Sequence, residues 1–192
     1  MKKTNNIIEI FKYGIYQTNL KTDLNLLKKF CIKSQNKKGR VKSNINGWQS
    51  EDLHEQYPIL VKLKKQIFEH INIYAKEFKI DRELNISNLW ININEYKDCN
   101  LPHIHTNSIL SGVFYVQVFK NSGDLSFKNP CEDNMASVLD KNILEYNPYN
   151  SSNWYFKPEN NMLLLFPSWL RHMVKPNMDK KQKRISISFN AN

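Results

Sequence analysis

The sequence predicts a mainly β (α+β) chain, a jelly roll or double-stranded β-helix with N-terminal helices packed on its sheet. Three observations carry this reading. From Leu89 onward apolar residues recur at every second position, in short runs broken by turn-forming residues, which is the period of half-buried strands. Before them lies one long segment whose apolar residues step by three or four, the period of a helix that covers a sheet. Many short strands after such a helix suit a jelly roll, whose eight strands form two facing sheets.

Taken in order, residues 7 to 18 alternate loosely as a strand, and Thr22 stands where it caps a short helix through Leu24, Leu27 and Phe30. Gly47-Trp48-Gln49-Ser50 reads as a turn. Pro58 suits a first helical turn, and Leu60, Leu63, Ile67, Ile71, Tyr74 and Phe78 follow as one apolar face. From Leu89 to Tyr96 the residues Leu89, Ile91 and Ile93 share one side of a strand, and Trp90, Asn92, Asn94 and Tyr96 the other. A polar and aromatic inward side suggests a pocket. Ser111 to Phe119, Gly123 to Phe127, Met162 to Phe166 and Arg184 to Phe189 are further strands. Residues 131 to 153 carry few strand signals and are expected to form a long, mobile loop over one end, a candidate lid.

The 192 residues suit a single domain, 1–192, with a mixed N-terminal segment over about 1–85 and a β-helix core over about 86–192. A hydrophobic share of 41% with 24% charged residues excludes a wholly disordered chain. Cys31, Cys99 and Cys131 are odd in number and widely spaced, which suggests neither a disulfide framework nor a CxxC metal site and fits a reducing, cytoplasmic setting. The basic N-terminus leads into too short an apolar run for a signal peptide, and no segment approaches membrane-spanning length. The net charge is +10, and the seven Lys and Arg from Lys28 to Lys42 meet no acid. A polyanion such as nucleic acid is therefore a partner to weigh, but a solvated basic loop in a Lys-, Asn- and Ile-rich chain is the simpler account. Neither the substrate, small molecule or macromolecule, nor the oligomeric state is written in these features.

Chemistry is concentrated in three of the five histidines. His103 and His105 stand two apart in Pro102-His-Ile-His, a spacing that puts both imidazoles on one side of an extended chain. His172, in Trp169-Leu-Arg-His, could be brought alongside by an antiparallel sheet to complete a facial set of three ligands with open positions for substrate and O₂. A His-x-His alone is more often a surface loop, and a histidine after an apolar strand is more often a hydrogen-bonded strand end. His54 and His70 have no such company and read as structural or surface residues. Twelve residues after His172, Arg184, Ser186 and Ser188 alternate with Ile185, Ile187 and Phe189. An Arg and a Ser on the polar side of a late strand make a carboxylate clamp, the guanidinium binding in bidentate fashion and the hydroxyl adding a third bond.

Asn94-x-Tyr96, Pro102-His103-x-His105, His172 and Arg184-x-Ser186 resemble the ordered signature of the Fe(II)/2-oxoglutarate-dependent oxygenase superfamily. Gly47-Trp48-Gln49-Ser50, Leu110-Ser111-Gly112-Val113-Phe114-Tyr115-Val116, the run Leu165 to His172 and the run Arg184 to Asn190 are similar to a branch found in marine bacteria and their phages. The resemblance spans residues 47 to 190. It implies an enzyme using Fe(II) and 2-oxoglutarate that couples oxidative decarboxylation of the oxoglutarate to hydroxylation of a substrate. By the same resemblance His103 and His172 are iron ligands, and His105 occupies the place where most of the superfamily has Asp or Glu. Arg184 would then pair with the distal carboxylate of oxoglutarate with support from Ser186, while Asn94 or Tyr96 bonds the cosubstrate from the facing strand. Trp48, Trp90 and Trp169 are candidates to line the cavity, plain packing being the simpler role for each. With three neutral imidazoles Fe(II) keeps a formal charge of about +2, against about +1 with one carboxylate, and a dianionic cosubstrate offsets the difference. Asp98 and Asp124 stand as alternative ligands, ranked lower because Asp98 breaks the two-residue spacing and Asp124 follows a Gly in a turn. The rival readings are a three-His dioxygenase or hydrolase that does not use oxoglutarate, and a non-enzymatic jelly-roll binding or structural protein.

Overall fold

The computed structural model describes residues 12–54, 57–131 and 143–192. The elements run β1 (Tyr16–Asn19), α1 (Leu24–Ser34), β2 (Asn44–Ile45), β3 (Trp48–Gln49), α2 (Pro58–Glu77), β4 (Ile86–Asn94), β5 (Cys99–His103), β6 (Leu110–Gln117), β7 (Leu125–Lys128), β8 (Asn153–Phe156), β9 (Met162–Pro167), β10 (His172–Val174) and β11 (Arg184–Ala191). They form a six-stranded sheet, in the order β1-β9-β6-β11-β4-β3, and a five-stranded sheet, in the order β2-β5-β10-β7-β8. Every pairing is antiparallel, as a jelly roll requires. Among the described residues no helix is long and apolar enough to cross a membrane.

Strand alternation sets which side of the large sheet is packed. In β11, Ile185, Ile187 and Phe189 pair with Ile93, Ile91 and Leu89 of β4, and opposed residues share a side. That side joins Leu27 and Cys31 of α1 and Leu60, Leu63, Ile67 and Ile71 of α2 in one buried cluster. Pro58 starts α2 at its first turn, as the sequence implies. Close packing also explains Gly112, where a Cβ would lie 2.3 Å from the Phe189 ring. The opposite side of the same sheet turns toward the smaller sheet. There Val113, Tyr115, Leu164 and Phe166 meet Leu125, Phe127 and Leu170 in a second cluster.

Three local expectations change. Asp23 caps α1, its side chain accepting from Leu26 N at 3.0 Å, whereas the Thr22 hydroxyl donates to Asn161 Oδ1 at 2.9 Å. The first helical residue is Leu24, so the position that can reach the free N–H groups of that turn is 23, not 22. Phe78 is the C-cap of α2 and is exposed, stacked flat on Tyr74 with centroids 4.3 Å apart. The turn expected at residues 47–50 is shorter: Asn46 makes it with φ 60, and Trp48 and Gln49 already form β3. Much of the loop expected over 131 to 153 lies outside the described residues. From 143 to 152 the chain runs through turns, held by Asn147 O accepting from Ser151 Oγ at 2.7 Å.

Candidate active site

Between the sheets lies a cavity of about 890 Å³. Its floor follows directly from the period-two pattern: Trp90, Asn92 and Asn94 of β4 and Arg184, Ser186 and Ser188 of β11 all line it, while the residues between them are in the core. The five-stranded sheet supplies the opposite wall.

The three histidines converge on this wall. β5 and β10 are paired so that His103 and His172 stand opposite one another. His105 follows two residues beyond His103, its backbone N–H donating to Ser168 O at 2.9 Å. One ring nitrogen from each residue lies within 4.8 Å of the others. Two of the rings are oriented by carbonyls: His103 Nδ1 is 2.6 Å from Leu101 O, and His172 Nδ1 is 2.8 Å from Leu170 O. A carbonyl only accepts, so each Nδ1 carries the proton and each Nε2 presents a lone pair. The His105 ring stacks beside His172 with centroids 5.2 Å apart and stands 5.7 Å from Trp90. Burial, reinforced by the neighbouring imidazoles, pulls His172 down to about 3 and His105 to about 4, and burial lowers His103 as well. All three are therefore neutral near pH 7, the form that binds a metal, and imidazole donors suit iron among other transition metals.

The alternative carboxylates are engaged elsewhere. Asp98 is buried beneath the turn after β4, where its Oδ2 accepts from Glu95 N at 2.7 Å, and Asp124 lies 3.5 Å from Lys175 Nζ. His70 meets the Tyr16 hydroxyl at 2.8 Å and His54 is exposed, both away from the cavity.

At another part of the cavity Arg184 is 1% exposed. Its Nη1 donates to Ser122 O and, at 3.0 Å, to Lys175 O, while Nη2 is buried with no partner. Among the described residues no carboxylate forms a salt bridge with it. Burial pulls its pKa down to about 10, against opposing effects from Tyr115, Cys99 and Asp98, so it stays a cation at neutral pH. A buried guanidinium with an idle donor is costly unless an anion completes it. The oxoglutarate carboxylate expected from sequence fits that demand.

Asn94 pairs directly with Arg184 across the strands, and Gly47 gives it room, because a Cβ there would fall 2.4 Å from Asn94 Nδ2. Ser186 lines the cavity opposite Tyr115 of β6. Tyr115, which the sequence reading passed over, also lines it, and burial raises its phenol so that it remains a neutral O–H. Alternation from Ser111 and Val113 places it inward, but only the register with β11 shows that it neighbours the clamp. Tyr96 corrects an expectation. β4 ends at Asn94, Lys97 turns the chain with φ 71, and the Tyr96 ring lies under Lys97 and Lys180 at 5.4 and 5.7 Å, outside the cavity. Of the tryptophans proposed for the lining only Trp90 is there. Trp48 donates to Lys37 O at 3.2 Å and Trp169 packs edge-on to Tyr13.

Residues 88–190 match the model of the family described as Putative 2OG-Fe(II) oxygenase. No curated protein sequence matches the chain. Among solved structures it is similar to a prolyl-4-hydroxylase of Pseudomonas putida, at 12% identity and a TM-score of 0.66, covering 93% of this chain and 92% of that one. It is similar also to the viral collagen prolyl hydroxylase of Paramecium bursaria Chlorella virus-1, solved with 2-oxoglutarate, at 14% identity and a TM-score of 0.61, covering 94% and 96%. A non-haem α-ketoglutarate-dependent epimerase of nogalamycin biosynthesis aligns at 12% identity and a TM-score of 0.69, covering 93% and 76%. At such identities the likeness is one of fold, and the neighbours perform different reactions on it. The family match, spanning more than half of the chain, is the finding that names it: the protein belongs to the 2OG-Fe(II) oxygenases, enzymes whose cofactors are Fe(II) and 2-oxoglutarate.

Proposed function

We propose that the protein couples oxidative decarboxylation of 2-oxoglutarate to hydroxylation of a substrate, at an Fe(II) ion held by His103, His105 and His172. The observation that carries this reading is one cavity holding three neutral imidazoles and a buried arginine with an idle donor. A ligand that is a chelator at one end and a carboxylate at the other satisfies both, and 2-oxoglutarate is such a ligand.

When bound, Fe(II) with oxoglutarate and O₂ would supply the oxidising power, one oxygen atom of O₂ ending in succinate and the other in the hydroxylated substrate, with CO₂ released. The chain's own groups do the rest. Leu101 O and Leu170 O hold two imidazoles in the tautomer that offers Nε2, and Ser168 O fixes the backbone that carries the third. Arg184, kept in place by Ser122 O and Lys175 O, receives the distal carboxylate through Nη2, with Ser186, Asn94 and Tyr115 as neutral hydrogen-bonding groups around it. Phe166, its ring centroid 4.7 Å from that of His172, gives the metal end an apolar neighbour. Asp52, the one carboxylate among the described lining residues, is tied to Arg40 at 2.7 Å. A metal hydrolase would need a free base there, so the oxygenase reading is the better supported.

Equilibrium binding of Fe(II) to single variants tests the ligand set. His103→Ala, His105→Ala and His172→Ala should each abolish stoichiometric binding, while Asp98→Asn and Asp124→Asn should retain it. Full affinity in His105→Ala together with loss in either Asp variant would move the third ligand to a carboxylate.

A further inference from the structure

Among the described residues three buried side-chain donors lack partners, and two of them belong to arginines lining this same cavity: Nη2 of Arg184 and Nε of Arg40. Cosubstrate accounts for the first. The second stands at the cavity mouth, on the loop that leads into β2, and no cofactor reading uses it.

This loop is built rather than loose. The buried Asn44 side chain donates to Arg40 O at 3.2 Å and to Gly47 O at 2.5 Å, and accepts from Lys42 N at 2.7 Å. Arg40 N donates to Gln49 O at 2.8 Å, so the loop is fastened to β3 as well. The Arg40 guanidinium is clamped by Asp52 at 2.7 Å, has the exposed Glu51 carboxylate 3.8 Å from its Nη1, and lies 5.7 Å from the Trp90 ring centre, with its Nε–H left over. Lys42 lines the same mouth, is exposed, and forms no salt bridge among the described residues.

The charge of the whole lining points the same way. Arg40, Lys42 and Arg184 stand against Asp52 on the lining and Glu51 beside it, 3.8 Å from Arg40 Nη1, leaving one positive charge in excess. Fe(II) and dianionic oxoglutarate cancel each other, so the excess persists in the loaded enzyme. An anion is drawn to such a mouth, and a cation is repelled.

We propose that Arg40 Nε–H and Lys42 form a second oxyanion subsite, which recognises a carboxylate or phosphate group of the substrate and lays the adjoining part of that molecule against Trp90. The substrate is thus an anion. This rests on the oxygenase reading for the word substrate, but the subsite is testable without turnover.

The test uses the Zn(II)-substituted, ¹⁵N-labelled full chain saturated with oxoglutarate, so that the Arg184 end is filled. Methyl phosphate is titrated in one arm and acetate in the other, at low ionic strength, and the arginine Nε–Hε cross-peaks are followed by NMR. The Arg40 cross-peak should move saturably with at least one probe, and which probe moves it separates phosphate from carboxylate as the source. Lys42→Gln should weaken that binding roughly two- to fivefold, the range of an exposed charge contact. By calorimetry, Arg40→Lys, which keeps a cation for Asp52 but removes Nε–H, should lose the probe while keeping oxoglutarate. An Arg40 cross-peak that stays still with both probes up to about 50 mM, a concentration at which even a weak oxyanion contact would be populated, overturns the proposal. The Arg184 cross-peak keeps the two readings apart. If oxoglutarate leaves it unmoved while a probe moves that of Arg40, the cosubstrate assignment fails and the second subsite stands.

Discussion

Neighbouring residues of β11 serve opposite regions of the molecule. Ile185, Ile187 and Phe189 are fully buried against α1, α2 and the adjoining strands. Arg184, Ser186, Ser188 and Asn190, one step away along the same backbone, line the cavity. The helix side is filled to the point that Gly112 yields its side chain to Phe189. The cavity side leaves a guanidinium nitrogen unpaired and three imidazoles crowded together. The two sides hold different kinds of free energy. Burial on the helix side supports the fold, and that surplus lets the cavity side keep groups that cost stability until ligands complete them.

Substitutions on the two sides should therefore separate stability from binding. The largest effect belongs to Phe189→Ala, which should lower unfolding free energy by about 3 to 5 kcal/mol in a urea titration while the folded fraction keeps its oxoglutarate affinity. An equal loss of affinity would mean the two sides are coupled through the backbone.

Next comes acid. His172 and His105 titrate at about 3 and about 4 when folded, below the ordinary 6.5, so the unfolded chain binds more protons between those values. Stability is thus full above pH 6.5 and is lost as pH falls toward 3. Calorimetric midpoints of the metal-free protein should drop over that window, and His172→Gln should flatten the decline. A decline of unchanged steepness in His172→Gln would remove the buried imidazoles as its cause.

Smaller effects mark the edges of the site. Ser186→Ala should weaken oxoglutarate binding by about two- to tenfold, one neutral hydrogen bond, with the unfolding midpoint unmoved. Tyr96→Ala should leave oxoglutarate affinity unchanged by calorimetry. A measurable loss there would bring the turn after β4 back into the site.

Periodicity made much of this legible beforehand. The alternation of Leu89, Ile91 and Ile93 with Trp90, Asn92 and Asn94 placed core and cavity on the correct sides, and the His-x-His spacing put two imidazoles together. What it could not carry was the end of a strand. Tyr96 continues the alternation in sequence, but the Asp98 carboxylate captures Glu95 N–H and turns the chain before it. Nor could it carry register: Tyr115 joins Arg184 and Ser186 only because β6 is paired with β11 at that residue. The Arg40 subsite was hidden differently. In sequence it is one cation in a basic run, and its contacts with Asp52 and Trp90 emerge only in the fold.

In the proposed function oxoglutarate spans from the three-histidine iron to Arg184. Titrating the anaerobic Fe(II) protein with oxoglutarate and following the metal-to-ligand absorption band tests it directly, because chelation by the keto acid produces that band. The account predicts a saturable band in the wild type, and the same band in Arg184→Ala at an affinity lower by roughly tenfold to a hundredfold or more, the equivalent of a charge-assisted hydrogen bond. No band in the wild type, or a band in Arg184→Ala with unchanged affinity, would contradict it.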